Sequence, residues 1–295
     1  MLLTEALDEF IFERRIRGLS AKTISDYEEF VKPFIRFVGE KMTVERLTQK
    51  AIQQYMLLLF DRKLSKATVS TYMRHIRVFL SWAASGREVK YDIKKIPLPK
   101  TGKKQVHLYS DDEIRLIFDT ITAESEWLTI RNKACVALML DSGLRRGEVC
   151  GAKIADYDKE RQLLTVTGKG DKTRIVPVGS FSKKYIDQYL ELCPFKDSEY
   201  LFVDRRGNPV SGNALKLLMQ KLSQKLPFDF SCHKLRHNFA TNYCLDMYEQ
   251  KGHMDAYSLQ ILLGHEDLKT TMRYIHHATS IVASQAHLSH LDKIM

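Results

Sequence analysis

Six polar side chains spread over half of this chain have the types and the spacing for phosphate chemistry. Arg145 stands in Gly143-Leu144-Arg145-Arg146-Gly147-Glu148 and Lys169 in Gly168-Lys169-Gly170. His233 and Arg236 stand in His233-Lys234-Leu235-Arg236-His237, and His265 in Leu263-Gly264-His265, with Tyr274 nine residues further on. An arginine presents a planar fork of donors that matches phosphate oxygens in pairs. Lysine and histidine can move protons at the same centre. A tyrosine oxygen, once deprotonated, can attack phosphorus. No carboxylate cluster of the kind that holds magnesium accompanies them. A cationic pocket with a nucleophile and no metal points to covalent phosphodiester exchange.

Taken singly, each residue has a plainer reading. One tyrosine among thirteen on an amphipathic helix is ordinarily packing, and a lone histidine is ordinarily structural. Their order changes the weighting. The series Arg145, Lys169, His233-x-x-Arg236, His265, Tyr274 resembles the tyrosine recombinases, the phage integrase family. So do the local words Gly-Leu-Arg-x-x-Glu, Gly-Lys-Gly, His-x-Leu-Arg-His and Leu-Gly-His. The motif-level resemblance spans about 105–280; the N-terminal part is similar only in size and helical character. A chain of two domains is more similar to Xer-like or transposon-borne recombinases than to large phage integrases with an added arm-binding domain.

The resemblance implies a division of labour. Tyr274 is the nucleophile that forms a 3′-phosphotyrosine. Arg145 and Arg236 grip the non-bridging oxygens and stabilise a pentacovalent transition state. Lys169 protonates the leaving 5′-oxygen, with Lys172 a rival at the same turn. His233 is a base or phosphate donor, and His265 hydrogen-bonds the phosphate. Glu148, three residues after Arg145, can orient its guanidinium, and His237 supports from behind. A tyrosine hydroxyl titrates near ~10, so cationic neighbours must lower it or a neutral histidine must take its proton. The bond energy stays in the phosphotyrosine link, so no cofactor, ATP or metal is implied. The sequence departs from the family at Asn238, where a threonine is common. His276, His277, His287 and His290 could suggest zinc, but the first three lack a partnering Cys or acidic ligand at a familiar spacing.

Charge supports a nucleic-acid partner. Net charge is +10, and between Arg62 and Lys104 twelve Lys and Arg face two acidic residues, Glu88 and Asp92, so that segment accounts for the whole excess. A basic run can be a solvated face or a solubilising tether. Beside a phosphate-handling kit it reads as a DNA contact, with Arg62, Lys63, Lys66, Arg74, Arg77, Lys94, Lys95, Lys100, Lys103 and Lys104 as candidates. No stretch of about 20 apolar residues suggests a membrane span, and acidic residues follow the opening Met1-Leu2-Leu3 too soon for a signal peptide. Five cysteines without a Cys-x-x-Cys pair fit a reduced, cytoplasmic setting, nucleoid-associated if the partner is DNA. Cys135 and Cys244 read as small core residues.

The elements that must position these residues give a mainly α fold with a small antiparallel sheet. Residues 1–86 predict four helices, with caps at Ser20 or Thr23, Thr48 and Ser65, aromatic stripes facing a core, and Pro33 kinking or dividing the second helix; the resemblance implies that this bundle is a SAM-like core-binding domain. Residues 87–109 predict a basic linker, and 110–295 an α+β catalytic domain opened by the capping box Ser110-Asp111-Asp112-Glu113. Alternation over 163–167 and 173–178 around Gly168-Lys169-Gly170-Asp171 predicts a hairpin, and 200–203 a short third strand. Helices follow over 211–226, 233–248, 255–264 and 267–276, then a tail helix near 280–292. Its stripe Ile281, Leu288, Leu291, Ile294 is an apolar face to be docked on its own domain or given to a neighbour; the resemblance to the tyrosine recombinases implies exchange between protomers. The expected partners are duplex DNA with paired recombination sites, a homotetramer on that DNA, and possible accessory proteins. Rival readings are a type IB topoisomerase-like strand transferase, a catalytically idle DNA-binding accessory protein, and, more remotely, a metal-dependent nuclease.

Overall fold

The computed structural model describes residues 1–100, 102, 107–168 and 170–285. The chain divides into two compact units, Met1–Lys104 and Gln105–Met295.

The first unit holds α1 (Leu3–Ile16), α2 (Ala21–Val38), α3 (Gln49–Asp61) and α4 (Lys66–Ala83). The hydroxyls of Ser20, Thr48 and Ser65 accept the N–H groups of Thr23, Ala51 and Thr68, so local capping chemistry sets where three helices begin. The aromatic stripes are core for the most part: Phe10, Phe34, Tyr55 and Phe79 are fully enclosed, while Phe37 at the end of α2 is exposed, and Phe10 meets Tyr27, Phe79 and Trp82 edge-on. Pro33 does not divide α2, which runs through it as one helix. The missing N–H removes one ladder bond, but Val31, Phe34 and Ile35 on either side are buried and hold the helix together.

Residues 87–98, expected as linker, are in large part packed. Tyr91 and Ile96 are buried in the helical core, and the Tyr91 hydroxyl donates to the Leu80 carbonyl at 3.3 Å. Apolar side chains spaced through the basic stretch fasten it down, while Lys94, Lys95 and Lys100 stay exposed. Lys103 and Lys104 lie outside the described residues.

The second unit begins with α5 (Asp111–Thr120), opened by the expected capping box of Ser110 and Glu113. Helix α6 (Glu126–Asp141) is apolar around most of its circumference and packs centrally against α8 (Ser180–Leu192) and α10 (Cys232–Lys251). Between α7 (Arg146–Gly151) and α8 lies an antiparallel sheet of β1 (Tyr157–Asp158), β2 (Leu163–Thr167) and β3 (Thr173–Pro177), in that order. The hairpin pairs Leu163 with Pro177 and Thr167 with Thr173.

The third strand is therefore Tyr157–Asp158, not 200–203. Leu201, Phe202 and Val203 are all buried. The segment makes only single bridges, Lys153 with Tyr200 and Val203 with Pro209, because its apolar run enters the core instead of lying on a sheet edge. Helices α9 (Gly212–Lys225), α10, α11 (Ala256–Leu263) and α12 (Leu268–Gln285) complete the unit. Helix α12 is continuous where separate helices over 267–276 and 280–292 were expected, and Ala278 within it is buried. Leu288, Leu291, Ile294, His287 and His290 lie outside the described residues. Cys135 and Cys244 are core residues as expected. No helix among the described residues is long and apolar enough to cross a membrane.

Candidate active site

Two glycines shape the ground on which the arginines meet. Gly143 has φ +63° and ends the run after α6; a Cβ there would stand 2.2 Å from Phe239 Cδ1 on α10. That close approach brings its carbonyl to Arg236 Nη1 at 2.7 Å. Gly264, at φ +60°, is the left-handed cap of α11, and its carbonyl accepts from Arg145 Nη2 at 3.1 Å. The motifs Gly-Leu-Arg and Leu-Gly-His are thus paired across the fold, each glycine holding an arginine of another segment.

Glu148 is the centre of the arrangement. Its carboxylate is almost wholly enclosed and accepts from the Arg145 N–H at 2.7 Å and from Arg145 Nη1 at 3.0 Å. It also receives two bonds from Arg174, at 2.7 and 2.8 Å. Burial alone would push this carboxyl up, but hydrogen bonds from Arg174 and from the Arg145 backbone, with both guanidinium charges, hold it below the usual carboxylate range. Arg236 lies 3.9 Å away, buried, with Nη2 on the Leu263 carbonyl at 2.5 Å and on His265 Nε2 at 3.2 Å.

These contacts fix a tautomer. An arginine only donates, so His265 Nε2 is the acceptor and the neutral ring carries its proton on Nδ1, 2.9 Å from Thr271 Oγ1. Burial, then the charges of Arg236 and Arg145, bring this imidazole down to about 4. His233 and His237 face each other through Nε2 atoms 2.7 Å apart, so only one of those two nitrogens carries a proton. Burial, then the neighbouring His233, likewise brings His237 down to about 4.

Tyr274 packs between these groups. Its ring centroid is 5.0 Å from that of His237 and 6.1 Å from that of His265, the latter stacked. The side chain is 4 % exposed. Burial raises its hydroxyl above the ordinary value, opposed by the charges of Arg236, Arg273 and Arg145.

The structure therefore brings together Arg145, Glu148, His233, Arg236, His237, His265 and Tyr274. Arg145, His233 and Arg236 line a groove of about 900 Å³ with Arg146, Lys216 and Gln220. Lys169 lies outside the described residues; Lys172 is paired with Glu266 at 2.9 Å. In the N-terminal unit Arg62, Lys63, Lys66 and Arg74 are exposed and Arg77 half-buried. Lys66, Arg74 and Arg77 share one side of α4.

Arg174, Thr271 and Arg273 escaped sequence reasoning. Arg174 had a signal: on β3 it shares the inward face with buried Val176, while Ile175 points outward at 58 % exposure. A charge facing in beside an isoleucine facing out inverts the normal alternation.

Known proteins match along the whole of this framework. A family model described as the phage integrase family matches residues 108–280. The chain belongs to the phage integrase family. Its residues 6–90 match the phage integrase N-terminal SAM-like domain. Tyrosine recombinase XerC of Psychromonas ingrahamii is 31% identical over 273 residues, covering 88% of this chain and 87% of that one. XerC of Staphylococcus epidermidis is 27% identical over 277 residues, covering 91% of each. Among solved structures, the Tn1549 transposon integrase in complex with a circular intermediate DNA aligns with TM-score 0.76 at 15% identity, over 93% of this chain and 95% of that one. A lambda integrase dimer bound to a COC′ core site gives TM-score 0.74 at 20% identity, with the same coverage. These structures share the fold, and the relatives named are recombinases; none favours the topoisomerase-like or idle alternatives.

Proposed function

We propose that this integrase-family chain is a site-specific recombinase that breaks and rejoins DNA strands through Tyr274. The observation carrying this is the enclosure of the Tyr274 ring between His237 and His265, next to Arg236, which itself bonds His265. Arg145 and Arg236 would exchange the carbonyls they now hold for the non-bridging oxygens of a scissile phosphate. Tyr274 Oη attacks phosphorus, the bond to the 5′-oxygen breaks, and Lys169 supplies the proton to that oxygen. The tyrosine proton passes to a neutral histidine, for which His233 is favoured because it lines the groove. A 5′-hydroxyl from a partner strand then attacks the 3′-phosphotyrosine and releases Tyr274. Phosphodiester energy is retained throughout, so ATP and metal have no step to serve.

Duplex DNA with paired sites is the substrate in this reading. The basic side of α4 and Lys94, Lys95, Lys100, Lys103 and Lys104 supply sequence-independent backbone contacts, and the work is done in the cytoplasm on the nucleoid. Assembly as a tetramer on that DNA, by exchange of a C-terminal helix between protomers, belongs to the same reading. An apolar hollow of about 510 Å³ lined by Tyr248, Met254, Ile275 and Val282 offers a seat for such a helix. The deciding experiment is a nicked suicide duplex that traps cleavage. Recovery of the cleaved strand covalently bound at Tyr274 is expected; binding without any covalent product would leave a DNA-binding protein only.

A further inference from the structure

The first segment of the catalytic unit is fastened to the helix that carries His233 and Arg236. Asn238 on α10 is fully buried. Its Oδ1 accepts the Tyr109 N–H at 2.7 Å, and its Nδ2 donates to the His107 carbonyl at 3.1 Å and to the Lys234 carbonyl at 2.9 Å. All three partners are backbone groups of fixed polarity, so only one orientation of the amide satisfies them. Toward 107–109 the amide offers one acceptor and one donor, as a neighbouring strand would.

Tyr109 adds a second fastening. It is buried, and its hydroxyl donates to the Asp229 carbonyl at 3.0 Å in the loop leading into α10. Its ring meets Phe228 and Phe230. On the other side His107 Nε2 lies 2.8 Å from Glu113 Oε2, and that oxygen also accepts the Ser110 N–H at the start of α5. The segment is thus tied at one end to the α5 cap and at the other to the first turns of α10. The cleavage chemistry uses none of these groups. Arg236 and His237 immediately precede Asn238, and the Lys234 carbonyl that Asn238 holds adjoins His233.

We propose that Asn238 is a positioning residue: with Tyr109 it forms a clasp that sets the His233–Arg236–His237 turns of α10 according to the path of the chain arriving from the basic stretch. The inference rests on the cleavage reading above. The path of that stretch along a DNA backbone is then felt at the scissile phosphate. A displacement of about 1 Å in a positioning element can cost roughly 10²-fold in rate, so a small shift suffices. The amide is needed for its reach. A threonine hydroxyl is shorter and, within a helix, turns to its own i−4 carbonyl; a carboxylate cannot donate.

The test uses the full chain on the nicked suicide duplex, with Asn238→Thr and Tyr109→Phe, each alone and combined with a four-residue Gly-Ser insertion after Gly102. DNA affinity at fixed salt, the rate of covalent complex formation and thermal melting are read together. Asn238→Thr should leave affinity within about twofold and slow cleavage by about tenfold or more; Tyr109→Phe should give a smaller loss of the same kind. The insertion should slow the wild type several-fold yet add little to either variant, because the coupling is already broken. An asparagine that merely stabilises the core would lower the melting temperature and give losses that add. Unchanged cleavage in both variants, or additive losses, overturns the clasp. Should Asn238→Thr fail to fold cooperatively, the Tyr109→Phe cycle decides by the same criterion. A wild type that binds but yields no covalent product removes the cleavage reading and the clasp with it.

Discussion

Arg174 meets Glu148 through two parallel hydrogen bonds, Nη1 to Oε1 at 2.7 Å and Nη2 to Oε2 at 2.8 Å, with side chains only 9% and 3% exposed. The same guanidinium donates through Nε to the Leu262 carbonyl at 2.6 Å. One side chain on β3 therefore connects the segment bearing Arg145 to the one bearing His265. Arg174→Ala is expected to destabilise the fold by about 3 kcal/mol, since it strips a buried carboxylate of its main partner. Arg174→Lys should recover only part, lacking the fork. Because the Glu148 carboxyl sits below its ordinary value when folded, its contribution is complete above the unfolded carboxylate range and fades as pH falls through the depressed folded value. Chemical denaturation across acid pH, with Glu148→Gln as reference, checks this; an identical acid profile for both proteins would refute it.

The histidines give a second signature, at higher pH. His237 and His265 titrate at about 4 when folded, against an ordinary 6.5. Between those values the unfolded chain binds more protons, so stability should climb as pH rises from about 4 to 6.5 and level off above. Replacing His237 with glutamine should flatten that climb. A slope untouched by the substitution would mean the ring is not held neutral.

Tyr274→Phe should abolish covalent complex formation while leaving duplex affinity unchanged, because the hydroxyl is removed and the basic surfaces are not. Gel-shift and denaturing-gel assays on one suicide substrate separate the two. Covalent product from the phenylalanine variant would move the nucleophile elsewhere. Arg145→Ala and Arg236→Ala should each slow cleavage by roughly 10²-fold or more.

Lys169→Ala should slow cleavage of an ordinary phosphodiester far more than that of one with sulfur at the 5′-bridging position, since a thiolate departs without a proton. Equal losses on both substrates would transfer attention to Lys172, whose ammonium meets Glu266 at 2.9 Å.

Duplex binding should weaken steeply with salt. Neutralising Lys94, Lys95, Lys100, Lys103 and Lys104 should reduce the log–log slope by roughly 0.9 for each DNA phosphate that is no longer neutralised. If the slope of the five-fold variant matches the wild type, the stretch is a tether.

What the sequence revealed divides along physical lines. Helix starts at Ser20, Thr48, Ser65 and Ser110 were legible because a cap is a contact between residues three apart. The hairpin around Gly168 was legible for the same local reason. Residues 200–203 were misread as a strand because an apolar run of four does not say whether it joins a sheet or fills a core. Arg174 went unseen because its partner is 26 residues away in sequence. Motif order singled out Arg145, His233, Arg236, His265 and Tyr274, which the fold brings together, but the stacking of Tyr274 on His265 and the hold of Asn238 on 107–109 are products of tertiary packing.

Besides the Glu148 carboxylate, each arginine of the site holds at least one main-chain oxygen: Gly143 and Leu263 for Arg236, Gly264 for Arg145, Leu262 for Arg174. A carbonyl is present whatever side chain its residue carries. Part of the constellation is thus written in the course of the backbone, with Glu148 the side chain that completes it. Surrounding side chains can change without removing these acceptors, provided the two left-handed glycines keep the chain on its track. That is a physical reason why a fold of this kind can persist at identities as low as 15%.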